Sequence, residues 1–172
     1  MNLRIAGTVN DSIVDGEGIR FTIFTQGCPH HCPGCHNPQT HDFSGGTIVD
    51  TDELLKKIKE NILLDGVTFS GGEPFCQAEV LAVLGKQIHS LGLNIVTYTG
   101  YTFEQLYNGK ESHPEWKALL EETDILIDGR FEESLKSYEC LFRGSTNQRY
   151  LDAKKSLNKG YAVEACFIEV KA

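Results

Sequence analysis

No stretch of this sequence reaches the ~18 consecutive apolar residues of a membrane-spanning helix, so a helical membrane protein is not expected. Positive charge is scarce. The 16 Lys and Arg face 24 Asp and Glu, a net charge of −8, which is the wrong balance for binding nucleic acid through its phosphates. The excess of acid reads as a solubilising surface. Residues 1–18 hold no continuous apolar segment and include Asp11, Asp15 and Glu17, so a secretory signal is not expected. Internal repeats, low-complexity tracts and a dividing linker are also missing. The expectation is one domain over 1–172, because 172 residues suffice for one core but not for two.

The cysteines are concentrated. Three of the six, Cys28, Cys32 and Cys35, fall within eight positions. That crowding suits a metal in a reducing compartment better than a secreted disulfide framework, and a cytoplasmic location is expected.

Along the chain, β-like and helix-like segments alternate. Ile19, Phe21 and Ile23 share one face of a run that leads into the cysteine loop. Asp50 and Glu53 have the spacing of a capping box, ahead of a helical stripe of Leu54, Leu55, Ile58, Ile62 and Leu63. A short strand, Val67 to Ser70, ends in Gly71-Gly72. Val80, Leu81, Leu84, Ile88 and Leu91 form a second stripe, weakened by Gly85 and stopped at Gly92. Leu93 to Tyr98 and Asp124 to Asp128 read as strands, with a helix between them that starts at Pro114 and carries Trp116, Leu119 and Leu120. The strand centres follow the ~30-residue repeat of βα units in a parallel sheet. Right-handed crossovers carry such units round towards a barrel, and a complete one needs ~250 residues. The expected fold is therefore α/β: a partial βα barrel with a parallel sheet of about five to six βα units or fewer.

In such folds ligands bind at the C-terminal ends of the strands. That places the cysteine loop, Ser70-Gly-Gly-Glu-Pro74, Tyr98-Thr-Gly-Tyr101 and Asp128-Gly129 on one rim. The C-x3-C-x2-C spacing can aim three thiolates at one centre. Three thiolates satisfy three irons of a four-iron cluster and leave the fourth open to a small molecule. The same loop reads as a Cys3His zinc site if His30, His31, His36 or His41 supplies a fourth ligand. No second ligand pair of the form C-x2-C or H-x3-H follows, and the loop opens from a strand end, which both favour the cluster. A nucleophilic cysteine fits poorly, for lack of a positioned base.

The Gly71-Gly72-Glu73 segment also reads two ways. Glycines let main-chain carbonyls approach a ligand closely, and Glu73 can accept from an ammonium group. Alternatively it is a strand-to-helix turn with Glu73 in the first helical turn. Cys76, Cys140 and Cys166 read as buried small apolar residues, and Asp128 as an acidic turn cap. Thr99 and Tyr101 either meet a ligand or partner or shape a turn. Residues 143–148 read as a loop facing a partner.

Together these residues resemble the radical S-adenosylmethionine superfamily, through Cys28-x3-Cys32-x2-Cys35 followed by Gly71-Gly72-Glu73. Within it the chain is similar to the small activases of glycyl-radical enzymes, above all those of anaerobic ribonucleoside-triphosphate reductase. The matching segments are Val14-Asp-Gly-Glu-Gly-Ile-Arg20, Gly27-Cys…Cys-Pro-Gly-Cys-His-Asn37, Ser70-Gly-Gly-Glu-Pro74, Tyr98-Thr-Gly-Tyr101, Ile127-Asp-Gly-Arg-Phe131 and Phe142-Arg-Gly-Ser-Thr-Asn-Gln148. They run in the family's order over 14–148.

The resemblance implies a [4Fe-4S] cluster on Cys28, Cys32 and Cys35, with S-adenosylmethionine chelating the unique iron. It implies a cofactor site made by Gly34, Cys35, His36, Gly71, Gly72 and Glu73, with Gly72 and Glu73 accepting from the ammonium. Gly34 stands where many superfamily members have an aromatic residue, a glycine that the small activases share. The implied reaction is reductive cleavage to methionine and a 5′-deoxyadenosyl radical, which takes hydrogen from a backbone glycine of the reductase. The implied partners are that reductase and a low-potential electron donor such as flavodoxin or ferredoxin. The neighbouring readings are a pyruvate formate-lyase-type activase, a small-molecule radical enzyme such as the deazaguanine-forming synthase, and a zinc-stabilised binding module.

Overall fold

Seven strands form one sheet in the order β3-β1-β2-β4-β5-β6-β7 in the computed structural model, which describes residues 1–167. The strands are β1 (Asn2–Ser12), β2 (Arg20–Thr25), β3 (Thr47–Asp50), β4 (Gly66–Gly71), β5 (Asn94–Tyr98), β6 (Ile125–Asp128) and β7 (Arg149–Asp152). The helices are α1 (Thr51–Glu60), α2 (Ala78–His89), α3 (Phe103–Gly109), α4 (Pro114–Glu122) and α5 (Ala153–Lys159). No helix among the described residues is long and apolar enough to cross a membrane.

The α/β class holds, and the sheet is mixed where a parallel one was expected. Strands β2, β4, β5 and β6 run parallel, whereas β1, β3 and β7 run antiparallel to their neighbours. The reason lies in the connections. No α-helix intervenes between β1 and β2 or between β6 and β7, and a parallel pair requires a long crossover, usually helical.

Side chains alternate across the strands, which gives the sheet two different faces. Phe21, Ile23, Val67, Phe69, Ile95, Leu126 and Leu151 join the apolar core with Leu54, Ile58, Leu81, Leu84, Ile88, Leu119 and Leu120 of α1, α2 and α4. Between them on the strands lie Arg20, Thr22, Thr68, Val96, Ile127 and Tyr150, all buried. The second face is thus partly polar. Its Arg20 guanidinium donates to the Thr68 hydroxyl at 2.6 Å and to the carbonyls of Val67 and Glu17 at 2.7 and 3.0 Å. Burial lowers its pKa to about 10.

Some helix limits differ from the expected ones. Asp50 caps α1 by accepting from the Asp52 N–H at 2.9 Å, and α1 stops at Glu60. Ile62, 92% exposed, and Leu63, 64% exposed, lie outside it. Asn61 ends the helix by donating to the Asn10 carbonyl and to Asp11 while accepting from the Leu63 N–H. A capping box does form, at α3, between Thr102 and Gln105. Asp128 behaves as a cap, but for α3 rather than its own turn. It accepts from the Phe103 N–H at 2.7 Å and from Arg149 at 2.5 and 2.9 Å.

Candidate active site

The loop after β2 is closed at its base by hydrogen bonds that bring residues 26–28 against residues 39–42. Gly27 N–H donates to the Thr40 carbonyl at 2.8 Å and Cys28 N–H to the His41 carbonyl at 3.2 Å. The Gln26 amide donates to the carbonyls of Gln39 and Asp42 at 3.1 and 2.6 Å. The segment between carries all three cysteines of the motif. Cys35 N–H donates to the Cys32 carbonyl at 3.2 Å, which closes a tight turn around Gly34. Gly34 has φ +69, a left-handed conformation in which a Cβ is costly. The Asn37 N–H donates to Cys35 Sγ at 3.4 Å.

Cys28, Cys32 and Cys35 are free thiols and line one cavity of about 500 Å³ at the C-terminal ends of β2, β4, β5 and β6. That volume is within the range of small-molecule sites. Burial pushes the Cys28 and Cys32 thiols up, so a ligand that demands thiolates must supply compensating positive charge. Among the described residues, no group of three or more His, Cys, Asp or Glu is arranged to hold a single metal ion. A single zinc requires its ligands to converge on one point, whereas a cluster divides them among different irons. Three free thiols on one cavity, with a main-chain N–H already on one sulfur, fit the cluster.

The Gly71-Gly72 pair also lines this cavity, and packing supplies a reason for both glycines. A Cβ on Gly71 would lie 2.6 Å from the Phe24 Cα, and one on Gly72 would lie 2.5 Å from the Gly27 carbonyl oxygen. The end of β4 is held there by Gly72 N–H to Thr25 carbonyl and Glu73 N–H to Gly27 carbonyl, both 2.8 Å. Gly72→Ala is therefore expected to displace the start of the cysteine loop and cost about 1–3 kcal/mol. Urea unfolding checks it; an unchanged midpoint contradicts this packing.

Glu73 is found elsewhere than at the cavity wall. Its side chain is 0% exposed and not among the lining residues. It accepts from His30 Nε2 at 2.7 Å, Thr99 Oγ1 at 2.9 Å, Gly100 N–H at 2.9 Å and Phe75 N–H at 3.0 Å. This knot joins the cysteine loop to the ends of β4 and β5. His30 also packs edge-to-face on Tyr101 at 4.6 Å, and Tyr101 in turn meets Trp116 at 4.9 Å. Gly34 is likewise absent from the lining, while Cys35, His36, Gly71 and Gly72 are present. His36 is exposed, with its ring 4.9 Å from that of Phe131.

Several cavity residues were read from sequence only within the matching segments or in another role, and Tyr138 not at all. Asp15 reaches it from the β1–β2 loop, with its carboxylate accepting from Ser12 and Thr22 hydroxyls at 2.5 and 3.1 Å. The segment 129–148 contributes Phe131, Tyr138, Cys140 and Phe142. It forms a strap closed by Thr146 N–H to Leu135 carbonyl at 2.9 Å and Ser137 N–H to Gly144 carbonyl at 3.2 Å. Tyr98 holds it to the sheet by donating to the Phe142 carbonyl at 2.6 Å. Its end, 143–148, is a loop as expected, tied down by Gln148, which accepts from the Gly144 and Ser145 N–H groups. Cys76 and Cys166 are exposed rather than buried residues, and Cys140 is half-buried. A signal for the strap existed in the 142–148 segment, but only the fold shows that it lines the cavity.

The chain belongs to the family of the 4Fe-4S single cluster domain, which it matches over residues 14–151, a span that holds the cysteine loop, the double glycine and the strap. More narrowly, it groups with the activating proteins of anaerobic ribonucleoside-triphosphate reductase. It is 31% identical over 144 residues to the one from Haemophilus influenzae, covering 79% of this chain and 89% of that protein. To the one from Escherichia coli K12 it is 32% identical over 145 residues, with 79% and 90% covered. A pyruvate formate-lyase-activating enzyme from Clostridium pasteurianum is 34% identical over 145 residues, with 80% of this chain but only 56% of that enzyme covered.

Proposed function

We propose that this protein is a radical S-adenosylmethionine activase that places a glycyl radical on an anaerobic ribonucleoside-triphosphate reductase. Three free thiols opening into the same cavity as Gly71 and Gly72, at the ends of parallel strands, carry this reading. In it, Cys28, Cys32 and Cys35 hold a [4Fe-4S] cluster. The helix-covered sheet is the partial barrel of that superfamily, formed as a single domain. When bound, the cluster and S-adenosylmethionine take up one electron and supply methionine and a 5′-deoxyadenosyl radical able to remove a hydrogen atom from a glycine Cα.

The chain's own residues position and enclose. Gly71 and Gly72 line the cavity without side chains, and Cys35, His36 and Phe131 line it as well. Glu73, buried next to Gly72 in the chain, holds His30 and the Thr99-Gly100 turn in place. Its oxygens already have donors, so it acts here as a positioning residue more than as a direct acceptor for a ligand ammonium. The strap adds Tyr138 and Phe142 to the cavity lining. Such a protein works in the cytoplasm, where thiols stay reduced, and draws its electron from a flavodoxin or ferredoxin.

The test is to combine the reduced, iron-loaded protein with S-adenosylmethionine and the reductase, then record electron paramagnetic resonance. A glycyl doublet on the reductase is expected. A colourless protein with one zinc per chain and neither iron nor sulfide sinks the reading. A doublet on pyruvate formate-lyase instead of the reductase moves the assignment to the other activase class, a second reading supported by the 34% identity to such an enzyme.

A further inference from the structure

We propose that His41 donates a hydrogen bond from Nε2 to the iron–sulfur cluster or one of its thiolates and thereby raises the cluster's reduction potential. This rests on the reading that Cys28, Cys32 and Cys35 hold that cluster. His41 lines the same cavity as the three cysteines. Its Nε2 has almost no solvent-accessible surface and no hydrogen-bond partner, a condition that only Asn147 Oδ1 shares among buried side-chain nitrogen and oxygen atoms of the described residues. Buried polar atoms are almost always paired, so an unpaired one on a residue that lines the thiols' cavity points to an acceptor that arrives with the cofactor.

The position of His41 is set by the cysteine loop itself. Its carbonyl accepts from the Cys28 N–H at 3.2 Å, and its ring meets that of His31 edge-to-face at 5.0 Å. His31 lies between Cys28 and Cys32. The main chain of His41 is thus tied to the first cysteine, and its ring to the segment joining the first two. The neighbouring histidines are differently placed: His30 is engaged by Glu73, and His36 is exposed against Phe131. The loop already makes one bond of the proposed kind, from the Asn37 N–H to Cys35 Sγ.

Cluster binding changes what Nε2 faces. Thiols are weak acceptors, whereas thiolates and sulfides carry negative charge and accept strongly. In the tautomer protonated at Nε2, the imidazole then gains its missing partner. Reduction adds negative charge to the cluster, so the N–H stabilises the reduced state more than the oxidised one, which shifts the potential upward.

The experiment uses protein labelled with ¹⁵N-histidine, loaded with iron and sulfide, reduced, and studied by pulsed electron paramagnetic resonance. A histidine nitrogen coupling is expected in the wild type and lost in His41→Phe. In a redox titration His41→Phe should have a more negative potential than wild type, and His41→Gln, which keeps a donor, should return part of the shift. The proposal is overturned by a wild-type spectrum without histidine coupling, by a coupling that survives in His41→Phe, or by potentials equal in all three proteins. Should His41→Phe fail to assemble the cluster, His41→Gln serves for the isotopic comparison, and the wild-type spectrum is decisive if neither assembles. Iron and sulfide content of the wild type tests the underlying cluster assignment separately.

Discussion

Replacing Cys28, Cys32 or Cys35 by alanine is expected to reduce both bound iron and reductive cleavage of S-adenosylmethionine by roughly 100-fold or more. Each thiol is the sole protein ligand of one iron in the proposed site, so losing one leaves that iron without protein support. The raised positions of Cys28 and Cys32 sharpen the expectation. In the absence of metal these thiols keep their protons, and the metal's positive charge is what makes them thiolates. The control is Cys166→Ala, an exposed residue away from the cavity, which should retain its iron and activity. The measurement is iron and sulfide per chain together with methionine formed under dithionite. Equal losses from Cys166→Ala and Cys28→Ala would mean the ligands are misassigned.

The second large effect is at Glu73. Glu73→Ala removes the acceptor for His30, Thr99, Gly100 and Phe75 at once. Stranding buried donors costs about 1–3 kcal/mol for a group, and more where charge is involved. A loss of about 3 kcal/mol is expected, a large share of the ~5–15 kcal/mol that holds a typical domain. The readout is the urea midpoint of the metal-free protein, where no cofactor contact contributes. Glu73→Gln keeps one acceptor oxygen and should fall between alanine and wild type. An unchanged midpoint in Glu73→Ala, combined with weaker S-adenosylmethionine binding in the loaded protein, would assign Glu73 to the ligand rather than to the scaffold.

Much of this protein can be read along the chain, and the legible parts share a property: they are local. Apolar residues at helical spacing located α1, α2 and α4, because a helix core face is written within about two turns. Alternating and β-branched runs located β2, β4, β5 and β6. Strand β1 was harder to see. It lies at the antiparallel side of the sheet, and the sequence Asn2–Ser12 mixes polar residues with few apolar ones. Strand β7 and helix α5 are short, four and seven residues, and a segment of that length carries little periodic signal. The helical stripe continued past Glu60 into Ile62 and Leu63 because spacing says nothing of Asn61, whose side-chain bonds reach back to β1.

The candidate site divides the same way. Cysteine spacing, the double glycine and the strand ends that carry them were present in the sequence, and together with the other matching segments they gave the cluster, the cofactor class and the family as a resemblance. Tertiary structure decided what those residues touch. It buried Glu73 in a knot of four donors and showed that Gly71 and Gly72 are required by the backbone of β2 and the cysteine loop. It brought the strap to the cavity and left Nε2 of His41, a residue lining that cavity, without a partner. The physical reason is range. Ligand spacing in a loop is fixed by the covalent chain, whereas burial and hydrogen-bond partnership depend on segments that only the folded sheet brings together. Glu73 meets residues 43 positions before it and 26 positions after it.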